Sequence, residues 1–549
     1  MCNLRFKLFR ARDGFVLMMI LTVLTGFLCV IFKIQKVEGL SNVYIHADGS
    51  TNPPSGLISS VDNVTYVLNA SIGGLVVERD NIVVDGAGYT IQGSGYDSCT
   101  WWSGTGVDLD GRENVTVKNL EIWGFLYGVY VRNGSNCAIY CSRVISNFWG
   151  IGIVESSNTT ICGNNVTAND WGIILFNCSK SNMVFDNYLA ENWENIYLHK
   201  SSDQILSGNM INNNNNSFCF DIVGSEPRHF VHSVGASNLV NGKPVYYLVN
   251  QTDLVLNNTT HPQVGYLALV NCTNTMVDGL SLADTGPLLM LAYTSNSTIR
   301  NSVMTNSTAR NWYGVLLESS CNNTFARNNI TENDEGVYLR NSSFNTFSAN
   351  NFMNNEAGIV FHSFSANNTL IGNNIANNEA GVGFEMSYNN TLAGNNITGN
   401  IRGIFLTCSS NNSIYENNIT GSSGCNILLS YSFNNSFYHN NFLDNSKPVF
   451  LTGPEPNFWD DGYPSGGNYW SGYSDVDQYS GPYQNETGSD GIWDHPYVIN
   501  EENQDNYPTV PEYSTSSIFL AIMISSFIAI AVYKKMKDKQ RNTGISHNM

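Results

Sequence analysis

The chain has 549 residues, of which 13% are charged, and its formal net charge at pH 7 is −19. Ordinary domains carry about 25% charged residues, and a balance this acidic excludes nucleic acid and anionic lipid headgroups as partners drawn in by charge. It suits a cation-rich exterior or a cationic ligand. A chain of this length could hold several globular domains, but a repeat lets most of it be one unit.

Arg5, Lys7, Arg10 and Arg12 precede an apolar run over residues 15–32. Residues 1–39 therefore read as a signal peptide or uncleaved signal anchor, with Val37-Glu38-Gly39 as a passable cleavage site. Most of the 12 cysteines fall between residues 99 and 425. An exported compartment permits disulfides, so Cys137 with Cys141, or Cys141 with Cys162 on a neighbouring coil, could pair. The alternative is that they are small buried apolar residues.

Residues 40–118 read as an N-terminal cap and first coils, with strand-like stretches at Ile82-Val83-Val84 and Val115-Thr116-Val117. Over residues 119–211 a glycine opens one short apolar run per coil: Gly128-Val129-Tyr130-Val131, Gly150-Ile151-Gly152-Ile153, Gly172-Ile173-Ile174-Leu175. Residues 212–297 break the beat, and turns at Asn241-Gly242-Lys243-Pro244 and His261-Pro262 predict coils with a flap insertion.

Residues 298–452 show the repeat most plainly. Asn-Asn followed by Ile or Phe recurs at Asn328, Asn350, Asn373, Asn395, Asn417 and Asn440, in steps of 22, 23, 22, 22 and 23 residues. Short alternating apolar bursts between Asn, Gly, Ser and Thr are strand-and-turn chemistry. Three short strands and three turns use up about 22 residues at ~3.3 Å per strand residue, which is one coil of a parallel β-helix. Right-handed coiling follows from the crossover preference of parallel strands.

Residues 453–511 are rich in Trp, Tyr, Gly, Pro and Asp without the beat, and read as an acidic, aromatic C-terminal cap over the last coil. Residues 512–533, apolar from Ile518 onward, read as a transmembrane helix. Lys534, Lys535, Lys537, Lys539 and Arg541 make 534–549 a basic cytoplasmic tail. The expected fold is thus all-β: a single-stranded right-handed parallel β-helix of ~22-residue coils, roughly 17 of them at the spacing of stacked strands. Terminal caps and a C-terminal transmembrane helix complete it, with the body on the extracellular face of the membrane.

The segments Asn241-Gly242-Lys243-Pro244-Val245-Tyr246-Tyr247 and Trp459-Asp460-Asp461-Gly462-Tyr463-Pro464-Ser465-Gly466-Gly467-Asn468-Tyr469-Trp470, set among these coils, resemble the archaeal NosD-like β-helix proteins. Those proteins carry carbohydrate-binding/sugar-hydrolysis-type repeats and are relatives of a periplasmic copper-binding accessory protein of nitrous oxide reductase maturation. The resemblance implies copper. The close histidine pair, His229 and His232, is the copper candidate, although an i,i+3 pair on a strand would point to opposite faces.

Columns of like residues supply the other candidates. Paired asparagines stacked on successive coils predict an amide ladder, so the sequons at Asn329, Asn396 and Asn418 should be inaccessible while those at Asn367 and Asn411 lie on outer turns. Trp149, Trp171 and Trp193 fall 22 residues apart and predict an indole column, a surface that suits sugar rings or self-stacking. Glu318, Arg340, His362 and Glu385 each follow a repeat glycine by four residues; they read as a solvated charge ladder, or as acid and base of a polysaccharide site. Asp334, Glu356 and Glu379 sit two residues before such glycines. In the cap Asp460, Asp461, Asp475 and Asp477 among glycines fit Ca²⁺. The reading is a membrane-anchored surface protein that binds envelope or extracellular polysaccharide without catalysis. The alternatives are a polysaccharide lyase or glycoside hydrolase, and a copper-binding accessory protein.

Overall fold

The computed structural model describes residues 40–54, 56–95, 103–177, 180–212, 218–307, 313–444, 447–453 and 456–511. The expected signal segment, transmembrane span and basic tail lie outside the described residues. Among the described residues no helix is long and apolar enough to cross a membrane, and the helical element there is the 3-10 turn Pro227–Phe230. The described residues form two compact units, one within 40–212 and 220–233, the other within 218–219 and 234–511.

Both units are stacks of parallel coils. In the first, the strands Tyr127–Arg132, Trp149–Val154, Trp171–Phe176 and Glu194–His199 pair in order and in parallel. In the second, one coil comprises Thr324–Ala326, Asn329–Thr331 and Glu335–Arg340. The two short strands each send one residue inward, Phe325 and Ile330, and the long strand sends Val337 and Leu339; all four are fully buried. The same positions repeat in register through Val337, Ile359, Val382, Ile404 and Ile427. Period-2 alternation therefore places every second strand residue in a continuous apolar core. The glycine that opens each long strand is required by close approach: a Cβ on Gly336 would stand 2.4 Å from the Gly358 carbonyl oxygen.

The corners are polar and largely hydrogen-bonded. At three corners of one coil a left-handed residue, Asn322, Arg327 or Glu332, precedes a buried asparagine, Asn323, Asn328 or Asn333. The Asn350 amide shows the scheme. Its Nδ2 donates to Asn373 Oδ1 at 3.0 Å and to the Phe325 carbonyl at 2.9 Å, while its backbone N–H also donates to Asn373 Oδ1. Asn373 repeats this toward Asn395, and the column runs through Asn417 and Asn440 to Asn468. There Asp505 receives the Asn468 N–H at 2.7 Å, and a parallel column ends where Asn503 receives the Asn457 N–H. The end of the apolar core is closed by Trp459 stacked on Phe437 and Trp470 stacked on Phe442, both at 4.4 Å. Each indole N–H donates to one of the residues that end the polar columns, Asn503 and Asp505.

Three expectations change. Of each Asn-Asn-Ile or Asn-Asn-Phe pair only the first member is the buried ladder residue. The second begins a strand and, alternating with the buried Ile or Phe, points outward: Asn396 is exposed and Asn329 and Asn418 are half-buried, so the three sequons are not sealed inside. These outer amides form their own row, Asn351 Nδ2 donating to Asn329 Oδ1 at 2.6 Å and Asn418 Nδ2 to Asn396 Oδ1 at 3.1 Å. The described cysteines are free; Cys162 is in register with Tyr140, which leaves Cys141 beside Gly163. In the irregular segment, Lys243–Val249 is coil and not loose flap, because it runs parallel to Tyr266–Val270 after a tight hairpin from Leu239–Val240. Asn241 and Gly242 both take positive φ there, as a two-residue hairpin turn demands.

Two outcomes follow. Asn395→Ala leaves buried donors of Asn373 without their acceptor and should cost about 2–3 kcal/mol, whereas Asn396→Ala in the outer row should cost under about 1 kcal/mol; urea midpoints check the difference. In the first unit Glu194 is 5% exposed. Burial, then the neighbouring Asp221 carboxylate, push its carboxyl up to about 10. The native state thus keeps a proton that the unfolded chain releases above about 4.5, so stability held at low pH is lost as pH rises toward the native value. Glu194→Gln should raise Tm progressively between pH 5 and 9 and leave it unchanged near pH 4, as read by thermal melts across that range.

Candidate ligand groove on the long-strand sheet

The outward face of the long strands in the second unit carries three rows in register. The first runs Tyr313, Glu335, Ala357, Ala380, Arg402; the second Leu316, Tyr338, Val360, Gly383, Phe405; the third Glu318, Arg340, His362, Glu385, Thr407. Bulky residues flank small ones in the first two rows, and that contrast makes a groove. Ala357, Val360 and Ala380 form a buried floor with Tyr338 and Phe405 packed against it. On one side Tyr313 stacks on Tyr338 at 4.4 Å, and His362 continues the stack at 5.4 Å. On the other side the Phe405 ring lies over Gly383, where a Cβ would stand 2.2 Å from it. The cavity measures about 310 Å³.

Charge in the groove is unevenly matched. Arg340 pairs with Glu318, which is 2% exposed. His362 Nε2 lies 3.4 Å from Glu385, and Arg402 lies 3.6 Å from Glu379. Glu335 has no cation within 4 Å among the described residues, and its buried Oε2 has no hydrogen-bond partner. Burial first, and then the carboxylates of Glu385, Glu356 and Asp334, push its carboxyl up to about 8. At neutral pH it is a carboxylic acid with a proton to donate. Burial also raises the Tyr338 hydroxyl, keeping it neutral.

The structure places the four charged residues expected from the sequence, Glu318, Arg340, His362 and Glu385, side by side in one row. Sequence reasoning missed Glu335, Tyr338 and Phe405. For Glu335 the signal was the position just before the glycine, where Glu335, Ala357, Ala380 and Arg402 differ in size and charge; for Tyr338 and Phe405 it was the second position after the glycine, where Tyr338, Val360, Gly383 and Phe405 differ in size.

The indole column is corrected. Trp149 and Trp171 are in register, preceded by Tyr127, but the next residue in the row is Glu194 and not Trp193. The intervening coil has one extra residue, so Trp193 falls on the turn, 57% exposed. Trp149 meets Tyr127 edge-on at 5.2 Å, and Trp171 meets Tyr197 edge-on at 4.8 Å.

The cap carboxylates hold separate partners. Asp460 accepts from Gly462 and Asn506, Asp461 from Ser465, Asp475 from His495, and Asp477 from Ser489 and Gly491. Among the described residues no group of three or more His, Cys, Asp or Glu is arranged to hold a metal. For copper the histidines do not fit either. His232 Nε2–H donates to the His229 carbonyl at 3.0 Å and its Nδ1 accepts the Gln204 N–H, so both ring nitrogens are occupied. His229 Nδ1 accepts the Ser225 N–H. Burial pushes His232 down to about 4.

Residues 233–380 and 336–475 match the family described as periplasmic copper-binding protein (NosD). Residues 105–260 match the right handed beta helix region. No curated protein matches the chain. Solved structures with a likeness include the periplasmic alginate epimerase AlgG, at TM-score 0.28 and 12% identity over 74% of this chain and 82% of that one. The alginate lyase AlyF-OU02 gives 0.29 and 13% over 64% and 79%. A tailspike protein mutant of E. coli bacteriophage HK620 gives 0.26 and 12% over 67% and 70%. The coil geometry and the match to the right handed beta helix region make the chain a right-handed parallel β-helix protein, and residues 233–475 of it are similar to the NosD family.

Proposed function

We propose that the groove between Tyr313/Tyr338 and Arg402/Phe405 binds a polysaccharide chain. The observation that carries this is the aromatic wall: two stacked tyrosines and a phenylalanine flank a floor of two alanines and a valine on a rigid sheet. Sugar rings lay their apolar faces on such rings while their hydroxyls meet acids and amides. Because the coils stack rigidly, the wall is organised before the ligand arrives, which lowers the ordering cost of binding. Trp149 and Trp171 on the first unit are a separate candidate surface for sugar rings. In this reading the protein is exported and tethered by its apolar segment at 518–533, an address that rests on the sequence alone.

The full-length protein, passed over immobilised polysaccharides, should be retained by at least one of them. Tyr338→Ala and Phe405→Ala should each weaken that retention about tenfold, roughly 1.4 kcal/mol, with unchanged melting profiles. Loss of neither affinity nor retention in both variants would remove the groove from consideration.

A second reading, cleavage of the bound chain, is favoured by Glu335 alone. Held neutral, it can protonate a departing glycosidic oxygen while Glu385 deprotonates an attacking water, as a pair of carboxyl groups does in glycoside hydrolysis. New reducing ends should then appear. The rate should fall as pH rises past about 8, where Glu335 loses its proton, and Glu335→Gln should abolish it. Retention without new reducing ends at any pH leaves binding as the whole activity.

A further inference from the structure

Four carboxylates line the groove: Glu335, Glu356, Glu379 and Glu385. Two of them have cations of the protein beside them, Glu379 with Arg402 at 3.6 Å and Glu385 with His362 at 3.4 Å. Among the described residues Glu335 and Glu356 have none within 4 Å. They sit on neighbouring coils, since Glu335 is in register with Ala357, the residue after Glu356. The stacked rings of Tyr313 and Tyr338 stand next to them in the same wall.

We propose that the groove takes a glycan bearing protonated amines, an amino sugar polymer, with one ammonium group seated between Glu335 and Glu356. The inference rests on reading the groove as a glycan site. A negatively charged sugar is disfavoured, because its carboxylates would meet four others with two local cations already engaged. A neutral sugar fits the walls but leaves the Glu335–Glu356 seat unmatched. An ammonium ion matches both carboxylates while its carrier sugar meets the aromatic wall. A hard metal ion is the poorer fit: it needs about six oxygen ligands, and among the described residues no three His, Cys, Asp or Glu are placed to hold one. A proton now occupies the seat, since Glu335 is neutral at neutral pH. Binding of the ammonium group exchanges it for that proton, which passes to the buffer.

Calorimetric titration of the full-length protein at pH 6 decides the matter, with three probes: a glucosamine oligomer, its fully N-acetylated counterpart, and an oligolysine of equal charge. The amine oligomer should bind about tenfold more tightly than the acetylated one, a difference of roughly 1.4 kcal/mol. Its heat should vary with the ionisation enthalpy of the buffer, as proton release requires. Glu356→Gln, at an exposed position, should bring the two sugars within about threefold of each other. Glu335→Gln should remove the buffer dependence. Equal or weaker binding of the amine oligomer, or a preference that survives Glu356→Gln, overturns the inference and leaves the glycan groove standing. Binding of neither sugar overturns both. Oligolysine binding as tightly as the amine oligomer assigns the seat to cationic peptide and overturns the choice of a sugar.

Discussion

Every position on the surface of this protein is set by a column of amides inside it. A buried asparagine at a coil corner could be a heavy cost, because an unpaired amide away from water destabilises by 1–3 kcal/mol. In the column through Asn350 and Asn373 the Oδ1 accepts two N–H groups from the preceding coil and the Nδ2 donates both hydrogens. A column satisfied in this way holds only when every coil is in step. A slip of one residue would break several hydrogen bonds per corner and turn the inward strand residues to solvent. The apolar core supplies cohesion, but it is tolerant of small shifts; the amides are not. They fix the register.

Fixed register is what lets outward positions act as columns. The long strands of the second unit keep Val337, Ile359, Val382 and Ile404 in line behind the sheet. The outward residues are free of the packing demand and vary in size from coil to coil. The groove is a consequence of that variation alone. Alanines stand where neighbouring coils have glutamate or arginine, and glycine where the next coil has phenylalanine, and the backbone beneath stays regular. Of the lining residues only Glu356 and Glu379 come from turns.

The repeat, the strand pattern and the inward residues were legible in the sequence, because period and alternation are one-dimensional properties of the chain. The charge row of Glu318, Arg340, His362 and Glu385 was legible for the same reason: a constant offset from the glycine survives the 22- and 23-residue steps. The tryptophan column was not. Counting 22 residues carries Trp171 to Trp193, but the coil between them holds an extra residue, and hydrogen bonding, not counting, decides which residue continues the row. The asparagine pairs misled in a similar way. Which member faces inward depends on whether the pair ends a corner or begins a strand, as Asn328 and Asn329 do in turn. The groove itself was hidden, since a cavity is a difference between rows and none of its residues is unusual alone.

Across a few coils of this one sheet, three acidic residues meet three different fates. Glu318 is buried and matched by Arg340, so its charge is neutralised within the protein and is structural. Glu385 is partly exposed beside His362, where water and a weak pair share the work. Glu335 is shielded from water, crowded by other carboxylates and given no cation, and it takes up a proton instead. Desolvation penalises a lone charge, and like charges nearby penalise it again. Removing the penalty would have been simple: an arginine at Ala357, the adjacent position in its own row, would pair with it as Arg340 pairs with Glu318. The row has alanine there, which keeps the groove open and the acid unpaired at once. The same small residue that makes room for a ligand leaves Glu335 waiting for a partner that the protein does not provide.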